Sequence, residues 1–131
     1  MQELTNTFEA SYAVYSKLSM NLRVRHYWIQ VDYDDQFTLN TQGNLDRNNY
    51  TINPNDFDDN FNSFTVDYTA RWQFAPASEL SFNYKLGANL FNNQINSGYG
   101  TNLKNTVKQD NSNTVSLKMT YFLDFNKIRK L

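Results

Sequence analysis

The only histidine is the first residue of this chain that could do chemistry. His26 stands alone and there is no cysteine, so a catalytic triad or a two-histidine metal site would have to be built around one ring. No local motif supports either arrangement. His26 lies between Val24 and Trp28 in an apolar series, where an amphipathic ring suits an interface. We expect it to be structural.

An acidic segment resembles part of a calcium-binding loop. Asp56, Asp58 and Asn60 place oxygen ligands at alternate positions, which can converge on one ion. The pattern then fails, because Phe61 stands where the loop needs glycine and Asp67 stands where it needs a bidentate glutamate. We therefore expect a solvated acidic loop. No catalytic residue, metal site or cofactor is predicted, and the chain is not expected to be an enzyme by itself.

Composition narrows the class of protein. The chain has 131 residues, of which 40% are hydrophobic and 16% aromatic, enough to form one folded domain. A net charge of -1 argues against a nucleic-acid-binding protein, which normally has a basic face. No apolar run is long enough for a transmembrane helix. The mean hydropathy of -0.71 still allows a membrane barrel, in which only alternate strand residues face lipid.

Alternation of apolar and polar residues predicts the elements that would position these side chains. A period of two is typical of strands, and the apolar residues do not follow the spacing of an amphipathic helix. The predicted fold is all-β, an antiparallel up-and-down meander of about five long strands. The predicted strands cover about 4–16, 19–31, 62–75, 79–91 and 113–125, with long polar loops at about 32–61 and 92–112.

One face of the predicted strands is apolar, and we expect it to face lipid. The residues predicted to lie on this face are Phe64, Val66, Tyr68, Trp72, Phe74, Leu80, Phe82, Tyr84, Leu86, Val115, Leu117, Met119, Tyr121, Leu123 and Phe125. Aromatic residues near the strand ends fit an interfacial belt.

The charged strand residues all have the opposite parity. These are Glu9, Arg23, Arg25, Asp67, Arg71, Lys85, Lys118 and Asp124. A charge that faces lipid near the middle of a bilayer costs about 2 to 4 kcal/mol, so their absence from the apolar face favours a membrane barrel with these side chains in its lumen. A structural role in cross-strand ion pairs is expected for them rather than a selectivity filter.

Connection lengths also alternate. Short turns near Ser16 and Pro76 contrast with the two long polar loops, an asymmetry typical of outer-membrane barrels. A soluble sheet whose apolar face forms a core would give the same alternation. Two alternatives therefore stay open: a soluble β-module that binds an apolar or carbohydrate ligand, and an oligomeric barrel made of several copies.

Several segments resemble a known group of proteins. They are Arg25 to Trp28, Phe61 to Asp67, Arg71 to Leu80 with its Arg-Trp-Gln-Phe-Ala-Pro run, and Ser116 to Phe125. Together they resemble the C-terminal barrel domain, of unknown function, of Bacteroidota envelope proteins that carry an N-terminal family-nine-type carbohydrate-binding domain. The resemblance implies a bacterial outer-membrane β-barrel, whose parents are sometimes labelled hydrolases. Any carbohydrate contact would belong to the other domain.

Five strands are too few to close a membrane barrel, which takes about eight or more in a single chain. We therefore predict that residues 1–131 are the C-terminal part of a larger outer-membrane barrel domain and have a structural or transport-type role. The expected partners are outer-membrane lipid, the remaining strands of the parent barrel, the barrel-assembly machinery and, through another domain, carbohydrate.

Overall fold

A computed structural model of the protein describes residues 1–35, 37–47, 57–95 and 98–123. Its elements are β1 (Gln2–Tyr15), β2 (Leu18–Val31), β3 (Phe37–Leu39), β4 (Leu45–Arg47), β5 (Asp59–Ala75), β6 (Ser78–Asn92), α1 (Tyr99–Lys108) and β7 (Ser112–Thr120). Five long strands form one antiparallel sheet in the order β1-β2-β5-β6-β7, and β3 pairs with β4. The predicted all-β antiparallel fold is confirmed, with one short helix in addition.

Two-residue turns join the long hairpins. Ser16 and Lys17 connect β1 to β2, and Pro76 and Ala77 connect β5 to β6. Proline fixes its own φ near −65°, whereas Ala77 has φ of 56°, a left-handed conformation that favours glycine. The second turn is therefore strained at Ala77.

The register of the last hairpin fixes which residues share a face. β6 and β7 pair with Leu80 opposite Met119 and Phe82 opposite Leu117. Because directly opposed residues point to the same side of a sheet, the apolar residues of the two strands lie together. The polar residues between them share the other face.

Both long connections contain elements that the sequence pattern did not predict. The connection after β2 contains the β3-β4 hairpin, and the connection after β6 contains α1. β3 and β4 have three residues each, too short for a clear period of two. β7 ends at Thr120, and Tyr121 to Leu123 follow it without strand structure. Asp124 and Phe125 lie outside the described residues.

The chain divides into two compact units. Unit 1 comprises Met1–Asn6, His26–Phe64 and Ala88–Asp110, and unit 2 comprises Thr7–Arg25, Thr65–Gly87 and Asn111–Leu131. Four of the long strands, β1, β2, β5 and β6, contribute residues to both units, whereas β7 lies in unit 2.

A globular domain normally buries apolar residues, whereas most buried residues in the described part of this chain are polar. Among the described residues, Ala88 and Leu90 are the only buried hydrophobic residues, and both belong to unit 1. The other buried residues are polar: His26, Gln30, Asp58, Asn60, Asn62, Asn102 and Thr106 in unit 1, and Ser78 in unit 2. The described part of unit 2 therefore has no buried apolar residue, although its strands carry one strongly apolar face.

Candidate functional surface

The apolar face of unit 2 is exposed. On β7, Val115 is 64%, Leu117 67% and Met119 69% exposed. On β1, Phe8 and Tyr12 are more than half exposed, and Trp72 on β5 is also exposed. A soluble protein normally buries such residues, each contributing about 1.5 to 3 kcal/mol when fully buried. This face therefore has no apolar partner among the described residues.

Other residues predicted to face lipid are half-buried. The half-buried members among the predicted lipid-facing residues are Phe64, Val66, Tyr68, Phe74, Leu80, Phe82, Tyr84 and Leu86. Tyr68 contacts Phe82 edge to face with ring centroids 6.2 Å apart, and Phe74 stacks on Tyr121 at the same separation. These contacts run along the surface of one sheet. They do not enclose a core, which was the expected signature of the soluble alternative.

Phe64 differs from the other residues predicted to face lipid. It belongs to unit 1, where its ring centroid lies 6.5 Å from that of His26. Leu123, by contrast, is 66% exposed after the end of β7. Phe125 falls outside the described residues.

The polar face of unit 2 carries a chain of ion pairs. Arg23 Nε lies 2.7 Å from Glu9 Oε1, which joins β2 to β1. Asp67 on β5 lies between two cations, with Arg25 at 3.6 Å and Lys85 at 4.0 Å. Opposite charges on neighbouring strands stabilise their pairing and keep this face polar. All five side chains border an open groove of about 520 Å³.

Neutral hydrogen bonds continue the same face across the sheet. Thr69 donates to Asn83 at 3.0 Å, and Asn83 donates to Ser116 on β7 at 3.4 Å. Arg71 lines a second groove of about 320 Å³ with Glu79. Lys118 lies opposite Ser81 and is exposed. The polar face therefore extends over all five strands, with positive groups in excess.

The centre of unit 1 is an asparagine side chain. Asn60 is completely buried, and its Oδ1 accepts hydrogen bonds from Trp28 Nε1 at 2.9 Å and from Asn62 Nδ2 at 3.1 Å. Its Nδ2 lies 2.9 Å from Asn92 Oδ1 and 2.8 Å from Asn102 Oδ1. A buried amide is tolerated only when its donors and acceptors are satisfied. Asn60 thus joins β2, β5, β6 and α1 through directional bonds.

His26 belongs to the same unit. Its ring is buried, although we expected it to lie at an interface. It is only 4% exposed, its Nδ1 lies 3.2 Å from Tyr99 Oη on α1, and the two rings meet edge to face. Its Nε2 has no hydrogen-bond partner among the described residues. Burial lowers the pKa of His26, and the Asn62 side chain partly opposes this effect. A neutral, structural histidine fits this environment.

Residues of the partial calcium-loop pattern form structural hydrogen bonds instead of a metal site. Asp58 is buried and accepts a hydrogen bond from the Tyr33 backbone N–H at 3.1 Å, while Asn60 is at the centre of unit 1. Asp56 lies outside the described residues. In the part of the chain that is described, no three His, Asp or Glu side chains form a group that could hold a metal ion.

Sequence patterns did not indicate the network around Asn60. The asparagines come from strands and from α1, at separations of up to 42 residues, and no periodic signal links them. The only local hint is the density of asparagine just before and after the apolar strand segments. No helix within the described ranges is both long and apolar enough to cross a membrane.

Comparison with known proteins identifies a family. A family model described as a domain of unknown function, DUF5916, matches residues 1–131. No curated protein and no solved structure matches the chain.

Proposed function

The chain belongs to the DUF5916 family, and we propose that it forms part of the wall of a bacterial outer-membrane β-barrel. The observation that carries the proposal is the exposed apolar face of unit 2, in a unit with no buried apolar residue among its described positions. An apolar face without a protein partner is stable when lipid covers it.

Strand length supports the same proposal. Within unit 2 the strand segments run from eight residues (18–25) to eleven residues (65–75). A tilted transmembrane strand needs about 9 to 11 residues, and the apolar band of such barrels is about 25 Å tall. Four of the five segments therefore have the length of one membrane crossing, and the β2 segment is about one residue shorter.

The polar face fits a water-filled lumen. Glu9, Arg23, Asp67 and Lys85 form exposed ion pairs beside an open groove. On the lipid side, the arginine and the lysine would each cost about 2 to 4 kcal/mol near the middle of the bilayer, and the carboxylates less. In the proposed barrel this face meets water, and the role of the chain is structural or transport-type rather than catalytic.

The proposal extends to a larger protein of which this chain would be one part. The resemblance to Bacteroidota envelope proteins with a carbohydrate-binding domain suggests that the barrel anchors or serves that domain. Any carbohydrate would then bind outside residues 1–131, and this chain would contribute the wall.

The two tryptophans provide an internal test. Trp72 lies on the apolar face of unit 2, whereas Trp28 donates to Asn60 inside unit 1. In vesicles with brominated acyl chains, we expect Trp28→Phe, which keeps Trp72, to lose most of its fluorescence. Trp72→Phe, which keeps Trp28, is the matched control and should be quenched much less.

Flotation of the vesicles gives the independent readout. We expect the chain to float with lipid after a carbonate wash. A folded monomer in detergent-free buffer, with Trp72 quenched by iodide but not by brominated lipid, would refute the proposal and favour a soluble β-module.

A further inference from the structure

Both edges of the five-stranded sheet are open along long strands. All fourteen residues of β1 and all nine residues of β7 are exposed, and each strand has one neighbour in the sheet within the described residues. Natural soluble proteins protect such edges with proline, clustered charges or short strands. β1 and β7 contain no proline, and Lys118 is the only charged residue of β7. These edges have the character of strands that receive a neighbour.

The direction of the two edge strands limits what that neighbour can be. Strand direction alternates along an antiparallel sheet, and the sheet has five strands in the order β1-β2-β5-β6-β7. The first and the fifth strand of such a sheet run the same way. β1 and β7 therefore point in the same direction.

A ring of identical copies would not pair these edge strands in the antiparallel way. In a ring, β7 of one copy lies beside β1 of the next, and because the two run the same way every seam would be parallel. Single-chain bacterial barrels are closed by antiparallel pairs and have even strand numbers. A two-fold axis that paired β7 with β7 would give an antiparallel seam, but it would place the short turns of the second copy on the opposite side of the membrane.

We propose that the β1 and β7 edges are completed by an odd-numbered set of further antiparallel strands, and not by another copy of this chain. An odd number makes both seams antiparallel and the total even. Since small barrels have about eight strands and this sheet supplies five, the set has about three strands or more. The inference rests on the proposed membrane function and deepens it by naming the partner.

The exposed edges also define the chemistry of that partner. Each of its strands must alternate apolar and polar residues over about 9 to 11 positions, to continue both faces. Lys118 has no carboxylate within ion-pair distance among the described residues. The strand beside β7 is therefore expected to carry Asp or Glu on its lumen side, where a cross-strand pair can form.

Cysteine cross-linking can distinguish the two partners, because the chain has no cysteine of its own. Ser11 on β1 and Ser116 on β7 both lie on the polar parity of their strands. We would mix the single variants Ser11→Cys and Ser116→Cys in lipid vesicles and add a bismaleimide. Thr69→Cys, on the interior strand β5, replaces Ser11→Cys in the matched control. The expected yield of dimers joined through 11 and 116 does not exceed the control.

The strand count of the native assembly provides the deciding measurement. A purification tag in the exposed turn between β3 and β4, at Gln42, leaves the long strands unchanged. We expect the structure of the assembly isolated from the producing bacterium's membranes to contain five strands from this chain and an odd number of others.

The outcomes separate this inference from the function on which it rests. A membrane-bound ring with cross-links from 11 to 116 between copies, or an even number of additional strands, overturns the inference and leaves the membrane function standing. A folded, lipid-free monomer overturns the membrane function itself.

Discussion

An arginine placed at Leu117 tests most directly whether the apolar face contacts lipid, as proposed. Leu117 lies opposite Phe82, between the Leu80–Met119 and Tyr84–Val115 pairs, so it occupies the middle of the apolar face on β7. Its side chain is 67% exposed, so arginine fits there without steric conflict. Any large cost of Leu117→Arg must therefore come from the surrounding medium.

The expected cost of an arginine depends on its depth in the bilayer. A strand rises about 3.3 Å per residue, which at a tilt of about 45° is about 2.3 Å of depth. Asn113, four residues before Leu117, is then about 9 Å from the middle of a band about 25 Å tall. We expect Leu117→Arg to cost about 2 to 4 kcal/mol and Asn113→Arg about 0 to 1 kcal/mol. In equilibrium constants, the first range corresponds to about thirtyfold to nine-hundredfold.

The assay is equilibrium unfolding in urea of the assembled barrel in phospholipid vesicles, followed by protease protection. Ser116→Arg is the matched control, because it places the same side chain one residue away on the polar face. It should change the free energy of unfolding by no more than about 0.5 kcal/mol, as most surface substitutions do. Equal small costs at 113, 116 and 117 would refute the reasoning, because a face in contact with water has no depth dependence.

Three further predictions concern the polar interactions. Asn60→Ala should destabilise unit 1 by about 1 to 3 kcal/mol or more, because it leaves buried groups without a partner, whereas Asn93→Ala, at an exposed position, should change the stability little. Amide hydrogen exchange of α1 measures both effects, and equal protection in the two variants would contradict a stabilising network around Asn60. Since burial lowers the pKa of His26, the stability contributed by its neutral ring is fully present above the ordinary value of 6.5 and is lost as the pH falls below that value. The protection factors of the α1 amides, which correct for the intrinsic pH dependence of exchange, should therefore fall from about pH 7.5 to about pH 5.5, and His26→Phe should remove most of this fall. Asp67→Asn should cost at most about 1 kcal/mol, since exposed ion pairs contribute little, and a larger loss would mean that this face is shielded from water.

The long strands could be predicted from the sequence because their signal is periodic. Phe64 to Phe74 and Val115 to Tyr121 alternate without interruption, and a period of two identifies both the element and its faces. Strand ends were approximate: β5 begins at Asp59, before the predicted 62, because Asn60 and Asn62 continue the strand with polar residues. Alternation of hydrophobicity cannot detect a strand whose two faces are both polar.

The helix and the polar network could not be predicted, for a related physical reason. α1 buries Asn102 and Thr106, one turn apart, while Val107 is exposed, so it has no apolar stripe toward the sheet. It is held by hydrogen bonds to residues distant in sequence, such as Asn60 and His26. Pairings of this kind depend on the tertiary fold, which no local pattern encodes.

The inverted burial also has a consequence for how this sequence can vary. A side chain that faces a fluid needs only the right polarity, so exchanges such as Leu117→Val or Met119→Leu should be nearly neutral, unlike the same changes in a close-packed protein interior. Asn60 tolerates no such exchange, because several partners depend on the geometry of one amide. Among relatives, the exposed apolar strand positions should therefore vary among apolar residue types, and the most conserved position should be that of Asn60, a small polar residue.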